Sequence, residues 1–372
     1  MVNALAQMAD APVLIIGDMV ADVYLDGTIA RISREAPVLV LEQREERVVA
    51  GGAANVANNA ATLGGMAYAV GVCGMERSGD ALLSVLSANG VRTEFIRADA
   101  YPTITKTRII AGGRATVSQQ IVRVDREWHA PLDAETEEAL LARIRQLLPQ
   151  MRGVVLSDYG SGTVTARVRR LVIDETRRLE IPSIVDSRYD ILSYEGIGYV
   201  KQNDAELAAA LERTLLSEEE IHAAGHELRE RLSADGVLIT RGDKGMTIFL
   251  ADGSVTSIPV SDHSEIFDVS GAGDTCVAVM ILALAAGIDP RTAARLIAED
   301  KIDILVDLSG HSQDNALPIM AYRPAPVQMS GIGYTNTTGL RAVDYFLSDE
   351  VCIPKGDTMA ESGFTEQILR LP

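Results

Sequence analysis

Short apolar runs that end in turn residues, separated by amphipathic stretches of helical length, constrain this chain more than any other feature. Pro12-Val-Leu-Ile-Ile-Gly17 is the first such run, and Gly153 to Ser157, Ile181 to Val185 and Gly236 to Thr240 repeat the pattern. A brief apolar run without polar alternation suits a strand covered on both faces. Between the runs lie amphipathic stretches such as Asp133 to Leu148 and Thr165 to Leu179. This alternation predicts an α/β fold with a mainly parallel sheet and helices on both faces. Two segments read differently. Tyr24 to Val49 and Thr103 to Asp125 combine β-branched residues with polar alternation and no helical period, which predicts a small antiparallel β lid. The longest apolar stretch, Cys276 to Ile288, is too short to cross a bilayer and reads as a buried helix.

With 372 residues, the chain has room for two or three domains, or for one large α/β domain with an appendage. Its 34 basic residues stand against 52 acidic ones, a formal charge of −18. Such a surface repels phosphate backbones and anionic lipid, which argues against a nucleic-acid or membrane partner. A local basic pocket for a phosphorylated small molecule is compatible with it. Cys73, Cys276 and Cys352 are odd in number and lack CxxC or zinc spacing, so a reducing, cytoplasmic location is expected. The first residues carry no basic segment ahead of an apolar run, and no secretory signal is expected. The pattern changes near residue 296, beyond which proline and glycine turns multiply, although Lys301 to Val306 reads as one more buried strand.

The sharpest motif is Asp268-Val-Ser-Gly-Ala-Gly-Asp-Thr275, followed at once by the apolar helix pattern. Small residues let backbone N–H groups approach an anion at the positive end of the helix. An aspartate there can take a proton from an attacking hydroxyl. The plainer alternative is a helix N-cap with glycine turn residues. In Ala50-Gly-Gly-Ala-Ala-Asn55-Val-Ala57, the paired glycines would let a sugar lie against the backbone and Asn55 could bind a hydroxyl; tight helix packing explains the same small residues. Lys201-Gln-Asn203-Asp-Ala-Glu206 follows a strand-like segment, and Asn203 and Glu206 can face one point at the helix start. A capping box fits them equally. Thr240-Arg-Gly-Asp-Lys-Gly245 could hold phosphate oxygens or simply turn the chain. There is no G-x-x-x-x-G-K-[ST] and no G-x-G-x-x-G after the first strand, which excludes a P-loop and a dinucleotide fingerprint. The five histidines form no HExxH, and His222 and His226 read as part of a surface helix.

Together these clusters resemble the PfkB/ribokinase family of sugar kinases over roughly residues 10 to 295. Ala50 to Gly74, with Asn55, Gly64 and Gly74 correctly spaced, is similar to the first family signature, and Asp268 to Thr275 to the second. Arg31 to Pro37, Pro102 to Arg108, Leu156-Ser-Asp-Tyr159 and Tyr199 to Glu206 resemble the heptose 7-phosphate kinase branch, which serves lipopolysaccharide-precursor synthesis. The resemblance implies a ribokinase-like fold and ATP-dependent phosphorylation of the anomeric hydroxyl of D-glycero-D-manno-heptose 7-phosphate. By position it implies Asp274 as the base, with Gly271, Ala272 and Gly273 as the anion hole. Asn203 and Glu206 would organise the ATP phosphates and Mg²⁺, Glu206 through water, and Lys201 would assist. Thr240 and Gly242 would line the nucleotide. Asp18, Asp22, Gly51, Gly52 and Asn55 would grip sugar hydroxyls. Lys106 and Arg108 would take the substrate's own phosphate, and Asp268 is the candidate holder of a monovalent cation. The family also implies a homodimer through the β lid. Four positions depart from the subfamily: Ser161 for a lysine, Ser187 and Arg188 in Asp186-Ser-Arg188 for Asp-Pro-Lys, and Gln202 for a proline.

From about Leu296 the chain resembles instead a fragment of the catalytic region of bacterial O-GlcNAc-transferase-like proteins. The matching residues are Asp303 to His311, Arg323 to Gln328 and Gly339 to Asp349, while Thr335-Asn336 departs from the usual proline-glycine. The expected organisation is therefore a kinase domain over 1–295, lacking the helix and loop that flank adenine, and a glycosyltransferase-like fragment over 296–372. Two alternatives stand beside the kinase: a glycosyltransferase fragment on a kinase-like scaffold, and an inactive nucleotide- or sugar-binding module.

Overall fold

A computed structural model describes residues 8–112, 119–128, 130–259 and 271–292, together with 304–307, 327–331, 341, 343, 345–349 and 364–371. The chain divides into two units, the first comprising 1–259 and 270–298, the second 260–269 and 299–372. The first unit opens with β1 (Pro12–Gly17), β2 (Met19–Ile32), β3 (Leu39–Gly52), α1 (Ala53–Thr62), β4 (Met66–Val70) and β5 (Val72–Cys73). It continues through α2 (Arg77–Ala88), β6 (Arg92–Thr93), β7 (Ile96–Arg97), β8 (Ile104–Gly112), β9 (Gln119–Arg126) and α3 (Ala134–Leu147). Next come β10 (Gly153–Asp158), α4 (Ala166–Leu179), β11 (Ser183–Ser187), β12 (Tyr199–Asn203), α5 (Asp204–Ala210) and α6 (Glu218–Leu232). The last elements are β13 (Gly236–Thr240), β14 (Met246–Leu250), β15 (Val255–Ile258) and α7 (Ala272–Ala285).

Nine strands form the main sheet in the order β15-β14-β13-β12-β11-β10-β1-β4-β6. All neighbours are parallel except at the end where β13, β14 and β15 run antiparallel. The expected α/β architecture is thus present. Successive residues of a strand face opposite sides, and both sides of this sheet are apolar. Leu14, Ile16, Val154, Leu156 and Val200 join a core with Leu140, Ile144, Val172 and Leu228 of the helices. Val13, Ile15, Val155, Ile184 and Leu238 join a second core with Ala54, Ala57, Val277 and Ile281. Helix starts lie where the sequence signals them, with Asp133 accepting from the Thr136 amide and Thr165 from the Val168 amide. The run expected at Ile181 to Val185 becomes a strand two residues later. Glu180 closes α4 in the left-handed conformation and the Ile181 amide donates to the Thr176 carbonyl, so Ile181 is still serving the helix.

The lid is a four-stranded sheet, β3-β2-β8-β9. Its outer pairs are antiparallel, but its central pair, β2 with β8, is parallel. The lid therefore consists of two hairpins joined side by side rather than one antiparallel meander. The second unit contributes a parallel four-stranded sheet of β16 (Ile304–Asp307), β17 (Val327–Gly331), β18 (Tyr345–Asp349) and β19 (Gln367–Leu371). The strand expected at Lys301 to Val306 falls on β16. The proposed junction near Leu296, the His311 segment and Thr335-Asn336 lie outside the described residues. Among the described residues, no helix is long and apolar enough to cross a membrane.

Candidate active site

Parallel strands deliver their carboxyl ends to one edge of the sheet, which is where ligands bind in such folds. Here that edge collects Asp18 after β1, Tyr159 after β10, Asp186 and Arg188 at the end of β11, Lys201 to Asn203 on β12 and Thr240 on β13. Helix α7 presents its amino end with Gly271 as N-cap at φ 79°, a left-handed conformation that suits glycine. Asp274 in the first turn is buried. Its Oδ2 accepts from Asn55 Nδ2 at 2.7 Å and its Oδ1 from the Tyr159 hydroxyl at 2.8 Å. Burial pushes its carboxyl above the usual range, while the Asn55 and Tyr159 hydrogen bonds and the Lys201 and Arg188 charges pull it back. A carboxylate held this way is a competent proton acceptor.

Lys201 stands beside this helix end. Its Nζ lies 3.0 Å from Asp186 Oδ2, and a Cβ added to Gly273 would fall 2.8 Å from the same ammonium. Burial opposes the lysine's charge, but Asp186 and Glu206 outweigh it and hold its pKa up. Burial in turn raises the Asp186 carboxyl against the pull of Lys201. An ammonium next to unpaired helix amides fits a phosphate group. Asn203 and Glu206 form a reciprocal capping box at the start of α5: the Glu206 amide donates to Asn203 Oδ1 at 2.7 Å, and the Asn203 amide to Glu206 Oε2 at 2.8 Å. The box leaves Glu206 Oε1 for a water. Among the described residues no group of three His, Cys, Asp or Glu could hold a metal ion. Thr240 pairs with Asn203 in the strand register, and Gly242 turns at φ 56° with open space around it. Asp268 lies outside the described residues.

The lid side is arranged differently from expectation. Arg108 Nη1 donates to Asp22 Oδ1 at 2.7 Å, so these two candidates face each other, and a Cβ on Gly51 would fall 2.6 Å from Asp22 Oδ2. Lys106 Nζ lies instead 5.4 Å from the centre of the Tyr159 ring, and the Arg188 guanidinium 4.7 Å from it. Asp18 is fully buried, and its carboxylate accepts the amides of Tyr159 at 2.9 Å, Ser161 at 3.1 Å and Thr163 at 3.1 Å. It organises the 159–163 loop. Gly52 at φ 54° is the N-cap of α1, where a Cβ would meet the Asp18 carbonyl at 2.7 Å; it serves the chain turn that presents Asn55. Tyr159, Asp186 and Arg188 are the site residues to which the sequence assigned no role. Their signals are position, immediately at or after the ends of predicted strands, and the motifs Leu156 to Tyr159 and Asp186 to Arg188 in which they stand.

A family model for pfkB family carbohydrate kinases matches residues 10–297, and the chain belongs to that family. A glycosyl transferase family 41 model matches residues 281–370. The bifunctional protein HldE of Azorhizobium caulinodans is 40% identical over 287 residues, 76% of this chain and 58% of that protein. HldE of Geobacter metallireducens is 38% identical over 293 residues, 78% and 59% respectively. The chain thus spans less than two thirds of the length of these relatives. Escherichia coli phosphofructokinase-2, solved in complex with substrates and products, superposes with a TM-score of 0.63 at 21% identity, covering 78% of this chain and 91% of that one. Arabidopsis thaliana ribokinase complexed with ribose and ATP gives 0.59 at 18% identity, covering 78% and 90%. These two share the fold.

Proposed function

We propose that the chain is an ATP-dependent kinase for the anomeric hydroxyl of D-glycero-D-manno-heptose 7-phosphate. The observation that carries this reading is the buried Asp274 carboxylate at the amino end of α7, beside the Lys201 ammonium. In the step, Asp274 accepts the hydroxyl proton as the sugar oxygen bonds to the γ-phosphorus. The bond from that phosphorus to the bridging oxygen breaks, and ADP leaves with the electron pair. Lys201 and the amides of residues 271–273 would carry the charge of the transferred group. Glu206 would hold nucleotide-bound Mg²⁺ through water, and the ion would supply further charge neutralisation. Because Arg108 is engaged by Asp22, Lys106 and Arg188 are the cations assigned to the sugar's phosphate.

The remaining assignments belong to the same reading: a kinase domain over 1–295, a glycosyltransferase-like fragment over 296–372, a cytoplasmic location and a candidate monovalent-cation ligand at Asp268. A homodimer through the lid is supported by its exposed apolar residues Ile32, Val38, Leu39, Val122 and Val124. The family 41 match favours a second reading, a glycosyltransferase fragment on a kinase scaffold. The decisive assay is ADP release from the full chain with Mg·ATP and the heptose 7-phosphate, with Asp274→Asn as control. Sugar-dependent turnover that falls ~10²–10⁴-fold in the variant is expected. No turnover by folded protein refutes the kinase, and UDP-GlcNAc hydrolysis would favour the second reading.

A further inference from the structure

We infer that Tyr159 is a positioning residue for the base, its phenol holding the Asp274 carboxylate in the orientation that receives the sugar proton; the inference rests on the kinase reading. The terminal torsion of an aspartate is broad, so a carboxylate alone at a helix end samples many orientations. Here two donors from separate elements fix its plane, Asn55 from α1 on Oδ2 and Tyr159 from the loop after β10 on Oδ1. Each oxygen keeps a lone pair for the reacting hydroxyl. The tyrosine is itself held. Lys106 of the lid and Arg188 from the end of β11 lie over its ring, and Asp18 accepts its backbone amide. Both cations lie within the distance at which a ring attracts positive charge.

Burial and the Asp274 and Asp186 charges keep the phenol protonated far above its ordinary range. Tyr159 is therefore a constant donor and never a competing base. Besides this phenol and Asn55, the groups bearing on Asp274 are Lys201, Arg188, Asp186 and Cys276. A hydrogen bond to the charged form favours that form, so removing the hydroxyl makes the carboxylate harder to ionise as well as looser.

Tyr159→Phe keeps the ring beside its two cations and deletes only the donor. In steady-state assays with Mg·ATP and heptose 7-phosphate, kcat should fall about tenfold or more while both KM values stay within about twofold. The acidic limb of the kcat/KM profile should move to higher pH. An unmoved limb, or a loss confined to KM, overturns the inference. An activity-free readout separates it from the kinase reading: ¹³C NMR titration of aspartate-labelled protein, with the Asp274 signal assigned by its loss in Asp274→Asn. The Asp274 midpoint should rise in Tyr159→Phe even if wild-type protein turns over no sugar, in which case only the kinase reading fails. An unchanged midpoint overturns the role of Tyr159 whatever the activity.

Discussion

Replacing Lys201 with methionine removes one half of a buried ion pair while nearly preserving side-chain volume. Asp186 then stays behind in the sheet edge, buried, with its 3.0 Å partner gone. Breaking such a pair by deleting one partner costs about 3–5 kcal/mol, a large share of the ~5–15 kcal/mol that holds a domain together. With an m-value near ~3 kcal/mol/M, the urea midpoint should drop by about 1–2 M. The chain's one tryptophan, Trp128, is buried with its ring 5.0 Å from Tyr101, so its fluorescence reports on the first unit. The sign of the pH dependence is fixed. Asp186 already has a folded pKa raised by burial, so it favours the fold below its unfolded pKa and that contribution is lost as pH rises through the folded value. Losing Lys201 raises the folded value further. The deficit relative to wild type should therefore grow as pH rises and shrink as pH falls toward the unfolded carboxylate range near ~4. Adding Asp186→Asn to the variant should recover at least half the loss. A cost below about 1 kcal/mol, a deficit independent of pH, or no recovery in the double variant would refute the account of this pair.

Other substitutions separate the roles of neighbouring residues. Gly273→Ala should weaken ATP, seen as a KM for ATP raised about tenfold or more, because its Cβ would crowd the Lys201 ammonium at 2.8 Å. Asp18→Asn should lower thermal stability by about 1–3 kcal/mol, since an amide cannot accept all three loop amides; an unchanged melting curve with lost sugar affinity would favour Asp18 as a sugar ligand. Asn203→Ala should cost about 1 kcal/mol through the lost cap of α5, measurable by denaturation. Val124→Asp on the exposed lid face should shift sedimentation toward the monomer if two lids meet, and leave it unchanged otherwise.

The sheet was legible because burial on both faces leaves no polar alternation, as in Val13 to Ile16, and because Asp133 and Thr165 announce their helices. The lid was legible as β structure but not in its strand direction. A period of two is the same in parallel and antiparallel pairs, and only the tertiary path brings β8 alongside β2 in parallel. The site was legible where one segment carries its own geometry, as at Gly271 to Asp274. It was illegible where a contact joins distant strand ends. Asp18 meets an amide 141 positions away and Tyr159 meets Asp274 across 115, distances over which neither propensity nor spacing carries information. The Asn203–Glu206 pair shows the opposite case: its capping geometry is purely local and was visible as a box from the outset.

Asp18 occupies the single position between the end of β1 and the start of β2, and its carboxylate clasps the loop that carries Tyr159. The lid is thus rooted through a joint with no slack. One residue more or fewer there would break the clasp and slide every lid residue along its partners. The far end of the same hairpin, residues 33–38, is largely exposed and touches none of this machinery. Length variation among related chains should accordingly be absent from the root.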